Sequence, residues 1–188
     1  LHDLNLGGGY GVRYTEEDAS IDIPARLAEL GKHLKAALEA EGLTSVRFMM
    51  EPGRSIVADA GMTLYTVGSV KRIPGYKQYA AVDGGMTDNP RYALYQSRYT
   101  VYHGSNTGPT ERFDVVFSCC ESGDIIQPNV ELPADTCRGD ILAVCTTGAY
   151  NYSMASNYNR LPRPPIVMLT PEGSYTAVRR ETFADLTA

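Results

Sequence analysis

Apolar residues recur with a helical period soon after the start of the chain. Five aliphatic residues are spaced so that they share one helix face: Ile23, Leu27, Leu30, Leu34 and Leu38. Asp22 stands where an N-cap is expected, Pro24 fits the first turn, and Gly42 fits the point where the helix ends. The pattern predicts one helix between Asp22 and Gly42.

Two short apolar runs flank this helix. Residues 4–6 precede a glycine run and residues 46–50 precede a charged loop, so each run fits a buried strand that ends in a loop. Strand, helix and strand make one βαβ unit, which is the repeating piece of an α/β barrel. Such a barrel needs eight strands and about 250 residues. Either the natural protein begins earlier or something else supplies the remaining strands.

The pattern changes after about residue 60. Segments rich in valine, tyrosine and threonine alternate with turn signals, and five of these segments predict strands: residues 62–73, 79–82, 97–102, 113–118 and 141–145. Residues 148–159 fit a short helix, residues 166–169 and 175–178 fit a last hairpin, and the tail from Arg179 fits a helical turn. We therefore expect an antiparallel β-barrel or sandwich of six or more strands.

Composition excludes several functional classes. The 188 residues, 43% hydrophobic and 21% charged, suffice for a well-buried core. A net charge of −5 without a basic run argues against a nucleic-acid or anionic-membrane partner. No apolar stretch approaches the roughly 18 residues that span a bilayer, and residues 1–11 do not resemble a signal peptide. The cysteines at positions 119, 120, 137 and 145 match no zinc pattern. We expect a soluble, cytoplasmic protein with reduced thiols and no metal site.

Five segments carry residues suited to chemistry: Gly7-Gly8-Gly9-Tyr10-Gly11, Glu51-Pro52-Gly53-Arg54, Asp83-Gly84-Gly85-Met86-Thr87-Asp88-Asn89-Pro90-Arg91, Cys120-Glu121-Ser122-Gly123-Asp124 and Gly148-Ala149-Tyr150. Glycines at a strand end let backbone N–H groups approach a phosphate, and a carboxylate such as Glu51 can bond a pyridinium N–H. Taken alone, each segment also has an ordinary interpretation. The glycines fit a turn, Glu51 fits a surface ion pair, and Cys120 fits a small core residue.

Together and in this order, the five segments resemble the C-terminal part of the diaminopimelate decarboxylases, which are pyridoxal-phosphate (PLP) enzymes of the alanine-racemase-like barrel class. The resemblance covers nearly the whole chain. It implies that residues 1–59 are the last strand–helix–strand of a TIM-type α/β barrel, here incomplete, and that residues 60–188 are a C-terminal β-domain.

The resemblance also implies roles for individual residues. Contacts with PLP are implied for Gly7, Gly8, Gly9, Glu51, Gly53, Arg54 and Tyr150. Contacts with substrate are implied for Arg54, Arg91, Tyr95, Glu121 and Tyr150. Cys120 corresponds to the catalytic proton donor, a role that suits a thiol because free thiols have a reference pKa of about 8.5. Cys119 fits a buried core position better.

Arg91 and Glu121 bear on the choice of substrate. The distal end of meso-diaminopimelate carries one carboxylate and one ammonium, and these two residues supply both complementary charges. The resembled family has proline after this arginine, whereas the present chain has Tyr92. Two alternatives stay open: a decarboxylase of ornithine, arginine or carboxynorspermidine, and a non-catalytic β-domain whose role is dimerisation.

The resemblance points to parts of the site outside this sequence. PLP enzymes of this kind hold the cofactor as a Schiff base to lysine. No predicted barrel strand ends at any of the four lysines: Lys32, Lys35, Lys71 and Lys77. The histidine that the family stacks on the cofactor ring has no matching motif at His2, His33 or His103. We expect a fragment, inactive alone, of a homodimer whose active site is shared between subunits and which converts meso-diaminopimelate to L-lysine and carbon dioxide.

Overall fold

The N-terminal region folds as a strand, a helix and a strand. In the computed structural model, which describes residues 1–43, 45–105 and 108–187, strand β1 (Asp3–Asn5) and strand β2 (Arg47–Met49) pair in parallel. Helix α1 (Ile23–Ala40) connects them along the chain. The strand–helix–strand order predicted from the apolar pattern is therefore confirmed. Two paired strands do not define a barrel.

Helix α1 has the boundaries that its sequence predicts. The Asp22 carboxylate accepts a hydrogen bond from the Ala25 N–H at 3.0 Å, and Gly42 takes a φ of +68° just beyond the helix. None of the helix residues is buried, and Leu27 on the apolar face is 37% exposed. The apolar stripe of α1 is thus uncovered in this chain. No helix in the described ranges is long and apolar enough to cross a membrane.

The central element is a six-stranded sheet. Its strands are β3 (Met62–Arg72), β4 (Gln78–Val82), β5 (Val101–His103), β6 (Thr110–Val116), β7 (Ile125–Pro133) and β8 (Ile141–Cys145). They lie in the order β5-β8-β3-β4-β6-β7. The two edge strands approach each other, and the Tyr99 N–H donates to the Gln127 amide oxygen at 2.9 Å beside them. The sheet is therefore nearly closed and barrel-like.

One strand pairing differs from the expectation of an antiparallel domain. Strands β4 and β6 are parallel, with Tyr79 opposite Asp114 and Ala81 opposite Val116, whereas the other pairs in this sheet are antiparallel. The sheet is mixed, so the prediction of a wholly antiparallel domain is wrong at this pair. A parallel pair needs a long crossover, and the chain supplies one between residues 82 and 110.

The apolar core lies inside this sheet. Its largest fully buried aliphatic and aromatic side chains come from four strands: Phe113, Ile126, Leu132, Leu142, Val67, Val115 and Val144. Predicted strands at residues 62–73, 79–82 and 141–145 closely match β3, β4 and β8. Strand β7 was not predicted, because two prolines and Asn129 at a φ of +55° interrupt its sequence pattern.

Shorter elements connect and extend the sheet. Helices α2 (Arg54–Val57) and α3 (Arg91–Tyr95) precede β3 and β5. The predicted helix at residues 148–159 is wrong in extent, since α4 covers Asn151–Met154 and a separate 3₁₀ turn covers Tyr158–Arg160, with Asn159 at a φ of +54°. Strands β9 (Ile166–Thr170) and β10 (Gly173–Val178) form the predicted last hairpin, and the tail contains a 3₁₀ turn at Phe183–Leu186.

A close backbone crossing joins the start of β3 to the end of β8. The Thr147 N–H donates to the Gly61 carbonyl and the Gly148 N–H donates to the Ala58 carbonyl, both at 3.0 Å. A Cβ atom at Gly61 would overlap the backbone of Gly148, and one at Gly148 would overlap the Val57 carbonyl. Both positions therefore require glycine for close approach rather than for a turn.

The contrast between a core leucine and a surface leucine tests this fold. We expect Leu142→Ala in β8 to lower the free energy of unfolding by about 2–5 kcal/mol, because it leaves a cavity at a fully buried site. Leu169→Ala in β9 serves as the control, since that side chain is 79% exposed and should change the free energy by less than about 0.5 kcal/mol. Urea denaturation measures both. Equal losses would contradict the assigned core.

Candidate active site

The loops after β1 and β2 are tied together. The Asn5 side chain accepts the Gly7 N–H at 2.8 Å and donates to Glu51 Oε1 at 2.6 Å. The Glu51 N–H in turn donates to the Gly7 carbonyl at 2.7 Å. A Cβ atom at Gly8 would overlap the Glu51 carbonyl oxygen. The structure thus brings the predicted glycine run and the predicted Glu51 into one small cluster, held by Asn5.

The glycine run has a backbone shape suited to an anion. Gly7 and Gly9 adopt φ values of +68° and +82°, and a Cβ atom at either would meet nothing within 4 Å. Among the described residues, the N–H groups of Gly8 and Gly9 have no backbone or side-chain acceptor. Free N–H groups on such a loop form an anion-binding concavity. This loop therefore fits a phosphate group. The second carboxylate oxygen of the adjoining Glu51 accepts no hydrogen bond from the residues that the structure describes.

Arg91 is a buried cation at the start of α3. It is 8% exposed, and its guanidinium carbon lies 5.3 Å from the ring centroids of both Tyr95 and Tyr150. Its only side-chain hydrogen bond runs to the Met154 sulfur at 3.9 Å, and its Nε is buried without a partner, counting the described residues. Because a buried charge is costly unless paired, this guanidinium is suited to an incoming carboxylate.

Polar groups without partners surround Arg91. Asn151 is 4% exposed, and neither polar atom of its side chain has a hydrogen-bond partner in the described ranges. Burial raises the pKa of the Tyr99 hydroxyl, while the neighbouring Asn151 amide and the Arg91 charge act in the opposite direction. Among the described residues, no group forms a hydrogen bond of good geometry with the Tyr99 hydroxyl. Since buried polar groups are normally satisfied, this cluster is incomplete without a further group.

The Glu51-Pro52-Gly53-Arg54 segment reaches the same cluster. A Cβ atom at Gly53 would lie 3.4 Å from the Tyr150 hydroxyl. The Arg54 guanidinium carbon lies 5.9 Å from the Tyr14 ring centroid, and Tyr14 packs edge-on against Tyr99 at 5.4 Å. The segment is therefore linked to the buried Tyr99 and the partly buried Tyr14. The residues that meet around these two tyrosines are far apart in sequence: Gly53, Arg54, Arg91, Tyr95 and Tyr150.

The loop that leads to Arg91 is anchored by Asp88. One of its carboxylate oxygens accepts the Gly85 N–H at 2.8 Å, and the other accepts the hydroxyl of Tyr65. Burial raises the pKa of Asp88 above its ordinary value, although the hydrogen bond from Tyr65 acts against that shift. Burial and the adjacent Asp88 charge raise the pKa of Tyr65 well above its usual range. This pair fixes the loop on β3.

The predicted proton donor and its neighbour lie on a loop beside α3. A Cβ atom at Gly123 would lie 3.3 Å from the Ala93 side chain. Cys120 is exposed at a φ of +55°. Glu121 Oε1 accepts the Ser122 N–H at 2.9 Å. In the described residues, neither Cys120 nor Glu121 bonds to the cluster around Arg91. The structure brings this loop to the same helix but leaves its side chains free.

The two adjacent cysteines occupy different environments. Cys119 is buried, and burial first and the Asp124 carboxylate second raise the pKa of its thiol to about 11. This agrees with its interpretation as a core residue, whereas Cys120 faces solvent.

Sequence reasoning missed Asn5, Tyr14, Tyr99 and Asn151. Asn5 carries a recognisable signal, because an asparagine at a strand end before glycine favours a side-chain-closed turn. The other three carry no local signal, since their neighbours come from distant parts of the chain. The four lysines lie elsewhere in the fold. Lys32 and Lys35 are exposed on α1, Lys71 is in β3, and Lys77 pairs with Asp114 at 2.6 Å.

Comparison with known proteins identifies the family. Residues 19–148 match the family described as pyridoxal-dependent decarboxylase, C-terminal sheet domain. The chain belongs to this family. It is 45% identical over 185 residues to diaminopimelate decarboxylase of Bacillus subtilis (strain 168), covering 97% of this chain and 42% of that protein. It is 40% identical over 184 residues to the Staphylococcus aureus (strain COL) protein of the same name, covering 97% and 44%. The chain thus spans less than half the length of these curated relatives.

Solved structures agree with this assignment. The fold superposes on diaminopimelate decarboxylase from M. jannaschii in complex with L-lysine with a TM-score of 0.92 at 33% identity, covering 100% of this chain and 42% of that one. The enzyme from Helicobacter pylori complexed with L-lysine gives a TM-score of 0.85 at 32% identity, covering 99% and 44%.

The two cysteines should react very differently with an alkylating reagent. With a pKa of about 11, roughly one thousandth of Cys119 is ionised at pH 8, and burial hinders it further. Because the pKa is raised, the thiolate fraction of Cys119 should increase as the pH rises from 8 and become large only near pH 11. We expect iodoacetamide at pH 8 to modify Cys120 and spare Cys119, with mass spectrometry locating the label. Urea-unfolded chain is the control and should label both. Equal labelling of the native chain would contradict the assigned burial.

Proposed function

We propose that this chain is the C-terminal part of a PLP-dependent decarboxylase that converts meso-diaminopimelate to L-lysine and carbon dioxide. The observation that carries the proposal is the buried Arg91 guanidinium between Tyr95 and Tyr150, for which the described residues provide no carboxylate. A substrate with a distal carboxylate supplies the missing counter-charge. Relatives at 40–45% identity carry the name diaminopimelate decarboxylase, which supports the same activity.

The residues present fit PLP. The open backbone of Gly7, Gly8 and Gly9 would hold its phosphate, with Gly53, Arg54 and Tyr150 on the same side. The free oxygen of Glu51 would accept the ring N–H and keep that nitrogen protonated. When bound, PLP supplies the electron sink that makes loss of an α-carboxylate feasible. None of the four lysines in this chain would form the covalent link to PLP.

Substrate recognition follows from two opposite charges. Arg91 would bind the distal carboxylate through its planar guanidinium, with the Tyr95 hydroxyl beside it. Glu121, which is exposed on the adjoining loop, would bind the distal ammonium. Arg54 and Tyr150 would contact the end of the substrate that lies nearer to the cofactor. Ornithine has no distal carboxylate and would leave Arg91 unpaired, which disfavours it.

Cys120 would complete the reaction. After the carboxylate leaves as carbon dioxide, the Cys120 thiol donates its proton to the α-carbon to which the carboxylate was bound. The Cys120 thiolate then regains a proton from water. An exposed thiol on a loop can do this, whereas the buried Cys119 cannot reach the substrate.

The proposed enzyme is a homodimer with two domains in this part of each chain. Residues 1–59 would belong to a TIM-type barrel and residues 60–188 to the C-terminal β-domain. Cys120 and Glu121 make no bond to the Arg91 cluster of their own chain in the described residues, which supports their acting in the site of a second subunit. Exposed apolar side chains on the hairpin, including Leu169 and Tyr175, would be covered by such a partner.

A substrate panel tests the proposed function in the complete enzyme. Carbon dioxide should be released from meso-diaminopimelate and not from ornithine, lysine or arginine. We expect Arg91→Ala to raise KM for meso-diaminopimelate by roughly 10- to 100-fold, because it removes charged hydrogen bonds, with PLP content retained. Arg98→Ala is the control, since Arg98 forms an exposed ion pair with Glu17. Preferred turnover of ornithine, or loss of PLP alone in Arg91→Ala, would contradict the assignment.

Replacing the two cysteines in turn tests the proton donor. Cys120→Ala should leave PLP bound and lower kcat by about 10²–10⁴-fold, the usual contribution of general acid–base catalysis. Cys119→Ala should leave kcat nearly unchanged. Product formation in single-turnover experiments measures both effects, and equal losses from both substitutions would show that Cys120 is not the donor.

A further inference from the structure

Asp124 is a buried carboxylate that holds two separate stretches of backbone. It is 4% exposed, and both of its oxygens are used. Oδ1 accepts the Met86 N–H at 2.9 Å, and Oδ2 accepts the Cys119 N–H at 2.7 Å. Met86 lies on the loop that leads to Arg91, and Cys119 precedes the proposed proton donor. One side chain thus connects the two loops that carry the proposed substrate-binding residues.

The loop around Met86 is shaped to receive this carboxylate. A Cβ atom at Gly85 would overlap both Asp124 Oδ1 and the Phe117 side chain, so only glycine leaves room for the carboxylate. The Gly85 N–H already donates a hydrogen bond to Asp88 at 2.8 Å. Asp88 thus anchors the same loop from its other side. The Met86 N–H is therefore the group that this turn presents to Asp124.

The loop around Cys120 is closed by the same residue. The Asp124 N–H donates to the Glu121 carbonyl at 3.0 Å, and the Phe117 N–H donates to the Asp124 carbonyl at 3.3 Å. Asp124 therefore closes the base of the loop through its backbone and fixes the loop to its neighbour through its side chain. Cys120 and Glu121 are exposed at the tip of this loop. In the described residues, their side chains form no hydrogen bond with the loop of Arg91.

A side chain with two accepting oxygens is needed in this place. Two N–H donors converge on it, and hydrogen bonds to a charged acceptor are about twice as strong as neutral ones. An amide of the same shape offers one acceptor and turns its NH₂ group toward an N–H donor, so one of the two loops must be released.

We propose that Asp124 is a positioning residue, which fixes the loop of Cys120 and Glu121 against the loop of Arg91. This inference rests on the proposed function for what the two loops do. Asp124 touches neither substrate nor cofactor. In the proposed dimer, it fixes how the loop with the proton donor and the ammonium-binding carboxylate stands on its own subunit, and therefore how that loop enters the site of the second subunit.

The test compares Asp124→Asn with Asp114→Asn in the complete enzyme. Asp114 is the matched control, because it is also 4% exposed and also accepts two hydrogen bonds. It lies in β6, away from the two loops, and accepts the Asn129 N–H at 2.9 Å and the Lys77 ammonium at 2.6 Å. We expect Asp124→Asn to speed hydrogen exchange of the Met86 and Cys119 N–H groups about tenfold or more, because one or both of them loses its acceptor. It should also lower kcat and raise KM together, with kcat/KM for meso-diaminopimelate falling by about tenfold or more. Asp114→Asn should lower Tm only.

The outcomes separate the inference from the proposed function. If Asp124→Asn changes Tm alone, as the control does, the positioning role is wrong. If the enzyme does not act on meso-diaminopimelate but hydrogen exchange at Met86 and Cys119 speeds up only in Asp124→Asn, the proposed function fails and the loop connection stands. Asp124→Ser is the second variant, since its hydroxyl can still accept one N–H. If neither Asp124 variant folds while Asp114→Asn does, Asp124 serves the fold and the inference is overturned.

Discussion

The parallel pairing of β4 with β6 is the constraint on which the site depends. Parallel neighbours end at the same edge of a sheet, so the loop after β4 and the loop after β6 emerge side by side. The first carries Arg91 and the second carries Cys120 and Glu121. An antiparallel pair would have sent one of them to the opposite end of the barrel. The crossover that parallel pairing demands is the stretch that contains α3 and β5, so the same segment both permits the topology and lines the site.

Strand β3 bends the sheet so that its two edges approach each other. Its first half, residues 62–66, pairs with β8, and its second half, from Val67 onward, pairs with β4. The register shifts between Val67 and Ser69, where Gly68 allows a bulge. One long strand is thereby shared between two groups of neighbours, and the sheet curls around the buried side chains of β6, β7 and β8. Tyr65, in the first half, also supports Asp88. Barrel curvature and loop support thus come from one strand.

The sequence predicted what depends on local pattern. The leucine period, Asp22 and Gly42 were sufficient to place α1. Motif resemblance is the ground on which Glu51, Arg91, Cys120 and Tyr150 are proposed. Strand β7 escaped, because proline and a left-handed asparagine conceal its alternation. The parallel pair escaped as well, since strand direction is set by a crossover and not by residue type. The roles of Tyr99, Asn151 and Asp124 also could not be predicted, because each depends on partners that folding brings from distant segments.

The glycine crossing between Gly61 and Gly148 limits how this site can vary. Two backbones pass there with room for hydrogen atoms only, and Tyr150 follows two residues later. Tyr150 is therefore placed by the main chain rather than by the side chains around it. A side chain at Gly61 or Gly148 would push the two backbones apart and so move the stretch that carries Tyr150. Even a single methyl group at either glycine would therefore be felt at Tyr150, although neither glycine lies in the proposed site.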